Sequence, residues 1–314
     1  MSQVDESQVE YRPDGSTLAE IDAGPGESPA RQAHSHRTPP SHRGAFRRQF
    51  TAELRLVFGR RRNTVLLAGV MLVPILVGVA IRVNGGARGG EGPRFINQIS
   101  ENGLFLVFTS LALMLPLLFP LVVGIVSGDT IAGEAGAGTL RYLLTVPAAR
   151  ARVLLVKAGA AFTFAIAVVL LVGVVGLVVG SILFPIGDVT LLSGDHVGLG
   201  DGFVRALLVA GYVIGSLAGL VAIGLFCSTL TEVPVAAMAT TIVVAVISQV
   251  VDAIPQLRVV HPYLLTHHWL DFGELLRIEP RAGLLLTGLG VQACYVAVAA
   301  SLAWAKLSGT DVTS

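Results

Sequence analysis

Ser127-Gly-Asp-Thr-Ile-Ala-Gly-Glu-Ala-Gly-Ala-Gly-Thr-Leu-Arg-Tyr-Leu-Leu-Thr-Val-Pro-Ala-Ala-Arg150 is a polar interruption between two long apolar runs. It carries two acids, Asp129 and Glu134, and a glycine cluster at Gly133, Gly136 and Gly138. A short leucine-rich turn follows, then basic residues at Arg150, Arg152 and Lys157. Charges and unpaired backbone are costly in hydrocarbon, so such a segment belongs at a bilayer's edge, and a bilayer protein rarely keeps one without a use. The combination reads as a docking element held at the membrane surface.

The flanking runs decide the class. With 53% hydrophobic and 14% charged residues over 314 positions and a mean hydropathy of +0.72, the chain is too apolar for a soluble domain, whose charged fraction is about 25%. The expected fold is an all-α integral membrane protein. A net charge of +1, with the charges gathered in a few segments, gives no face for nucleic acid. Cys227 and Cys294 fall inside apolar spans, where a free cysteine behaves as a small hydrophobe, so no disulfide framework is expected.

Residues 1–43 are rich in Ser, Gly, Pro, His and acids and carry almost no aliphatic pattern. Such a composition cannot bury enough apolar surface to offset ordering entropy, so the segment reads as a disordered cytoplasmic tail. Its acidic start, with no apolar region behind it, does not read as a signal peptide. Residues 44–63 follow with Phe46, Phe50, Leu54 and Phe58 at helical spacing and Arg47, Arg48, Glu53 and Arg55 elsewhere on the turn. This predicts an amphipathic helix in the inner interface, its apolar stripe in lipid and its arginines at anionic headgroups.

A spanning helix needs about 20 mainly apolar residues. Six segments of the 64–305 region qualify: Thr64–Val83, Leu104–Ser127, Val153–Phe184, Ala206–Thr229, Val233–Val251 and Ala282–Ala305. Residues 306–314 form a short tail. An even number of spans puts both termini on one side. The cluster Arg43, Arg47, Arg48, Arg55, Arg60, Arg61 and Arg62 beside the first span outweighs the scattered Arg82, Arg88, Arg94, Arg205, Arg258, Arg277 and Arg281. Positive-inside bias therefore puts both ends in the cytoplasm, with the cell membrane as location. Between the fifth and sixth spans, Asp252 to Arg281 mixes apolar and polar groups without reaching spanning length. A re-entrant or interfacial pair of short helices at the outer surface is expected there.

The chemistry for other functions is missing. The spans hold hydroxyls and amides but no carboxylate, His or Lys near a midplane, Asp252 and Lys157 lying at span ends. That argues against a proton-driven carrier. The group His261, His267, His268, Asp271 and Glu274 lacks the H-E-x-x-H spacing, and adjacent histidines cannot both face one ion on a regular helix. Interfacial histidines beside Tyr263 and Trp269 are expected, with no catalytic residue and no metal. No G-x-x-x-x-G-K-[ST] occurs, so no phosphate cradle is expected and ATP dependence must come from a partner. Gly211, Gly215 and Gly219 form a small-xxx-small packing face, as do Gly176 and Gly180, serving either one subunit's interior or an oligomer seam. Pro74, Pro116 and Pro120 are expected to loosen or kink their helices.

Within the loop, Ser127 or Asp129 is a capping candidate for a short helix with Glu134 near its start, and Gly136 and Gly138 break it. Thr139 can cap a second turn on which Leu140, Leu143 and Leu144 share a face, and Pro147 stops it. Arg150 and Arg152 then precede the third span, where the helix dipole disfavours them, so headgroups or an acidic partner must outweigh that term.

The order Asp129, Glu134, Gly138-Thr139-Leu140, Leu143-Leu144, Pro147, Arg150 and Lys157 resembles the loop between the second and third spans of type-two ATP-binding-cassette exporter permeases. The six-span plan and the amphipathic helix before it resemble that family too. The resemblance implies a permease subunit that moves cargo by alternating access. It pairs with a second copy or a paralogue and with separate cytoplasmic ATPase subunits that hold ATP and magnesium. It implies that the loop is a coupling helix seated in a groove of the ATPase. Ala135, Gly136 and Ala137 stand where the family often has charges. A non-transporting membrane scaffold is the alternative, and an ion-coupled carrier comes after it.

Overall fold

The computed structural model describes residues 42–83, 102–138, 147–187, 189–190 and 196–309. The described residues form helices α1 (His42–Gly59), α2 (Arg61–Val83), α3 (Phe105–Met114), α4 (Leu118–Gly136), α5 (Pro147–Leu183), α6 (Leu199–Leu230), α7 (Pro234–Asp252) and α8 (Ala282–Gly309). Among them the only strands are the antiparallel pair β1 (Val189–Thr190) and β2 (His196–Val197), between α5 and α6. Three 3-10 segments, Pro255–Leu257, His261–Tyr263 and His267–Leu276, link α7 to α8. The chain is an all-α integral membrane protein: α2, α4, α5, α6, α7 and α8 are each long and apolar enough to cross a bilayer.

α4 lies at the centre. Two thirds of its apolar window (67%) is buried, against 17% for α2 and for α8. Phe119 of α4, Leu106, Leu111 and Met114 of α3, Phe164 of α5 and Leu217 and Leu220 of α6 fill the interior. The outer helices keep Val65, Leu72, Leu76, Val243, Ile247, Leu286 and Val298 exposed. In water such faces would be a liability, and in a bilayer they match the acyl chains.

The second span departs from the continuous helix expected over Leu104–Ser127. It breaks at Leu115–Leu117, and α4 runs on to Gly136. Pro116 has no N–H to donate and its ring crowds the preceding turn, so the ladder stops there. The freed Pro116 carbonyl accepts a hydrogen bond from Gln249 Nε2 of α7 at 2.6 Å. Pro120 falls in the first turn of α4, where its missing N–H removes nothing. Pro74 sits inside an uninterrupted α2.

α1 lays much of its apolar stripe on the bundle. Leu54 and Phe58 pack against the core, Phe58 meets the Phe164 ring at 5.5 Å, and Phe50 lies over Gly159 of α5. Phe46, at 39% exposure, is the one member left open. A single residue, Arg60, separates α1 from α2. Buried Asn63 closes that corner by donating from Nδ2 to the Val57 carbonyl at 2.7 Å, which satisfies an end group of α1.

Gly215 approaches Leu289 and Gly219 approaches Gln292 and Tyr295, all on α8, whereas Gly211 has no neighbour within 4 Å in this single chain. Gly176 and Gly180 lie against Val107 and Gly103. The 252–281 connection holds three short segments where a pair was expected. It is fastened inward: Tyr212 donates its hydroxyl to the His268 carbonyl at 2.8 Å, and Gln292 Nε2 donates to the Leu265 carbonyl at 2.7 Å. His268 is buried within the protein, with its Nδ1 2.7 Å from Asp271 Oδ2.

Candidate functional site

The end of the bundle that carries α1 gathers the charges singled out in the 127–157 segment. Asp129, on α4, is buried, and its Oδ2 accepts from Arg60 and, at 2.8 Å, from Arg62. Lys157, on α5, has a side chain only 3% exposed, and its Nζ sits 3.0 Å from Glu53 Oε1 of α1 and 2.7 Å from Glu134 Oε1 of α4. The two groups of charges thus join α1, the α1–α2 corner, α4 and α5. Each buried ion has its counter-ion, without which it would be strongly destabilising.

Glycine brings α4 this close to its neighbours. A Cβ at Gly128 would lie 2.8 Å from the backbone N and Cα of Met238 on α7, and one at Gly136 would lie 2.8 Å from the Glu232 carbonyl oxygen. Gly124 approaches the Ile242 side chain, and Ala132 is fully buried. The four residues recur at i+4, so they share one edge of the helix. The sequence carries this stripe as a four-residue period, in addition to the small-residue faces of the third and fourth spans. Ser228 of α6 holds the other side, its Oγ accepting from the amides of Ile131 and Ala132 at 2.9 and 2.8 Å.

Six helices are long and apolar enough to span a bilayer, and the second span runs on as a charged helix to Gly136. The model of the ABC-2 family transporter proteins matches residues 58–275. The chain belongs to that family. No curated protein matches it. The ABC-2 match runs from the end of α1 through the charged cluster, Glu53 apart, and along α4 to the last 3-10 segment.

In this ABC-2 permease the expected loop residues fall into three groups. Asp129 and Glu134 are ion-paired inside the protein, and no helix starts at Ser127 or Asp129, because α4 passes through both. Gly138, at φ +69°, takes the left-handed conformation that ends a helix, just past the end of α4. Thr139, Leu140, Leu143 and Leu144 lie outside the described residues. Pro147 is the first residue of α5, where its fixed φ suits a helix start. Arg150 Nη1 donates to the carbonyls of Leu307 and Ser308 at 2.9 and 3.2 Å, closing the end of α8.

The stripe supplies a direct test. Gly128→Val must push α4 off the Met238 backbone, which cannot rotate away as a side chain can. An overpacking cost of about 1–3 kcal/mol follows, read as a lower thermal midpoint of the purified protein in nanodiscs. Ala132→Gly, on the same edge but removing bulk, should cost about 1 kcal/mol from helix propensity alone. A Gly128→Val midpoint equal to the parent's would show that α4 and α7 do not meet as described.

Proposed function

We propose that this ABC-2 permease is the membrane half of an exporter of the cell membrane, with both termini in the cytoplasm. Cargo moves by alternating access. The work is done by a separate ATPase subunit, which holds ATP and magnesium and docks on the 128–152 segment. The assembly contains a second copy of the chain or a paralogue. The observation that carries this reading is the continuity of α4: it leaves the apolar centre of the bundle, reaches Gly136 unbroken, and is ion-paired on the way to the α1–α2 corner, to α2 and to α5.

A helix fastened in this way transmits a displacement of the 138–147 segment to three neighbours at once. Asp129 and Glu134 thus act behind the docking surface as its rigid mount. Leu140, Leu143 and Leu144 supply the surface itself, a leucine cluster with no obvious use in the membrane. A groove in an ATPase that accepts three leucines is apolar at its floor, which gives the contact its affinity.

The experiment is affinity purification of the full chain in mild detergent, with identification of what accompanies it. A P-loop ATPase in stoichiometric amount, together with ATP hydrolysis that vanadate inhibits, is the expected outcome. Recovery of the chain with membrane proteins alone, free of any nucleotide hydrolase, would favour the scaffold alternative.

A further inference from the structure

We propose that Asp252, His261 and His267 form a binding site for a divalent transition-metal ion of the zinc class, at the end of the bundle opposite α1. One ligand atom from each lies within 4.8 Å of the others. Asp252 is the last residue of α7, His261 opens the second 3-10 segment and His267 opens the third. Three separate turns therefore converge on one point. The adjacency of His267 and His268 is no obstacle, because His268 turns away to Asp271 and Pro262. The ligating pattern is instead Asp-x8-His-x5-His, which skips His268.

The orientation of the rings fits ligation. His261 Nε2 lies 3.1 Å from the Ile254 carbonyl oxygen, an acceptor, so Nε2 carries the proton and donates it. That leaves the Nδ1 lone pair of His261 facing Asp252, 3.7 Å from Oδ1. A ring held through its far nitrogen by a backbone carbonyl is the usual support for a metal-bound histidine. His267 Nδ1 is 2.6 Å from the same Oδ1. In its Nε2–H tautomer it too offers Nδ1 to an ion. Ligands about 2.0–2.1 Å from zinc in a tetrahedron stand roughly 3.3 Å apart, so shifts of about 1 Å complete the set.

Two imidazoles and one carboxylate suit zinc, cobalt or nickel better than calcium or magnesium, which prefer all-oxygen shells. Three protein ligands leave a fourth position. A cavity of about 120 Å³ adjoins Asp252 and His267 and is lined as well by Pro116, Gln249 and Thr266. The open position therefore has room for water or a donor atom of a small ligand, beside the break in the second span.

The test uses the full chain in lipid nanodiscs without an affinity tag, with His34→Gln, His36→Gln and His42→Gln as the parent so that the amino-terminal imidazoles do not compete. Equilibrium dialysis against zinc should give one ion per chain. Cobalt should give the intense visible bands of a four-coordinate site. His261→Ala and His267→Ala should each weaken zinc binding by at least about tenfold, since even supporting groups contribute that much. Asp252→Asn, which keeps the shape and a hydrogen-bonding side chain, should do the same. Zinc should also raise the melting temperature of the parent but not of these variants. Zinc uptake unchanged in all three variants, or none by the parent at micromolar free zinc, would overturn the proposal.

Discussion

Replacing Lys157 by leucine is expected to remove about 3–5 kcal/mol of stability, the usual cost of leaving a buried charge without its partner. The ammonium is nearly enclosed and stands between Glu53 and Glu134, themselves only 15% and 18% exposed. Without it the two carboxylates face one another across a site built for three charges. Glu53→Gln and Glu134→Gln each leave Lys157 one carboxylate and should be milder, on the order of 1–3 kcal/mol. Because much of the loss comes from stranded charge, Glu53→Gln/Glu134→Gln/Lys157→Leu should recover part of the stability lost by the lysine substitution alone. Thermal unfolding in nanodiscs reads all four variants. A Lys157→Leu protein that melts with the parent would mean that α1 is not clasped to α4 and α5 through these groups.

Leu143→Asp is expected to have the largest functional effect. If the docking groove closes over the leucine face, an unpaired carboxylate there costs several kcal/mol, on the order of 3–5. At about 1.4 kcal/mol per tenfold, association with the ATPase should fall by at least about a hundredfold. Insertion and melting temperature should be unchanged, because the position lies past the end of α4. Co-purification and cargo-stimulated ATP hydrolysis read the effect, with Leu104→Ala, buried at the far end of the same span, as a control that keeps the ATPase bound. Full ATPase association in the Leu143→Asp protein would move coupling elsewhere and advance the scaffold alternative.

The spans were legible because a bilayer imposes one length and one composition on every helix that crosses it. The charged residues of the second-to-third connection were legible as types in an order. Their pairing was not. Ser127 and Asp129 have side chains that favour helix starts, yet Asp129 serves Arg60 and Arg62, and Ser127 Oγ donates to the Val123 carbonyl at 2.8 Å within an unbroken helix. Local preference yielded to partners about 70 residues away in the chain, |i−j| being 69 and 67 for the two arginines. Phe50, Leu54 and Phe58 show the same limit: periodicity marks an apolar stripe but does not say whether lipid or α5 covers it. His261 and His267 were legible as residues and not as neighbours, because irregular 3-10 turns bring them to Asp252 and no helical or strand period does.

The Arg150 clasp has a consequence for biosynthesis. Its carbonyl acceptors lie 157 and 158 positions later in the chain. At about 5–20 residues per second, roughly 10–30 s of translation separate the arginine from Leu307 and Ser308. The start of α5 and the end of α8 therefore cannot be joined while the ribosome is still making the last span. A nascent chain halted before Leu307 has every partner of the charged cluster but lacks this closure, so the joining of Arg150 to α8 is among the last contacts that membrane assembly can form.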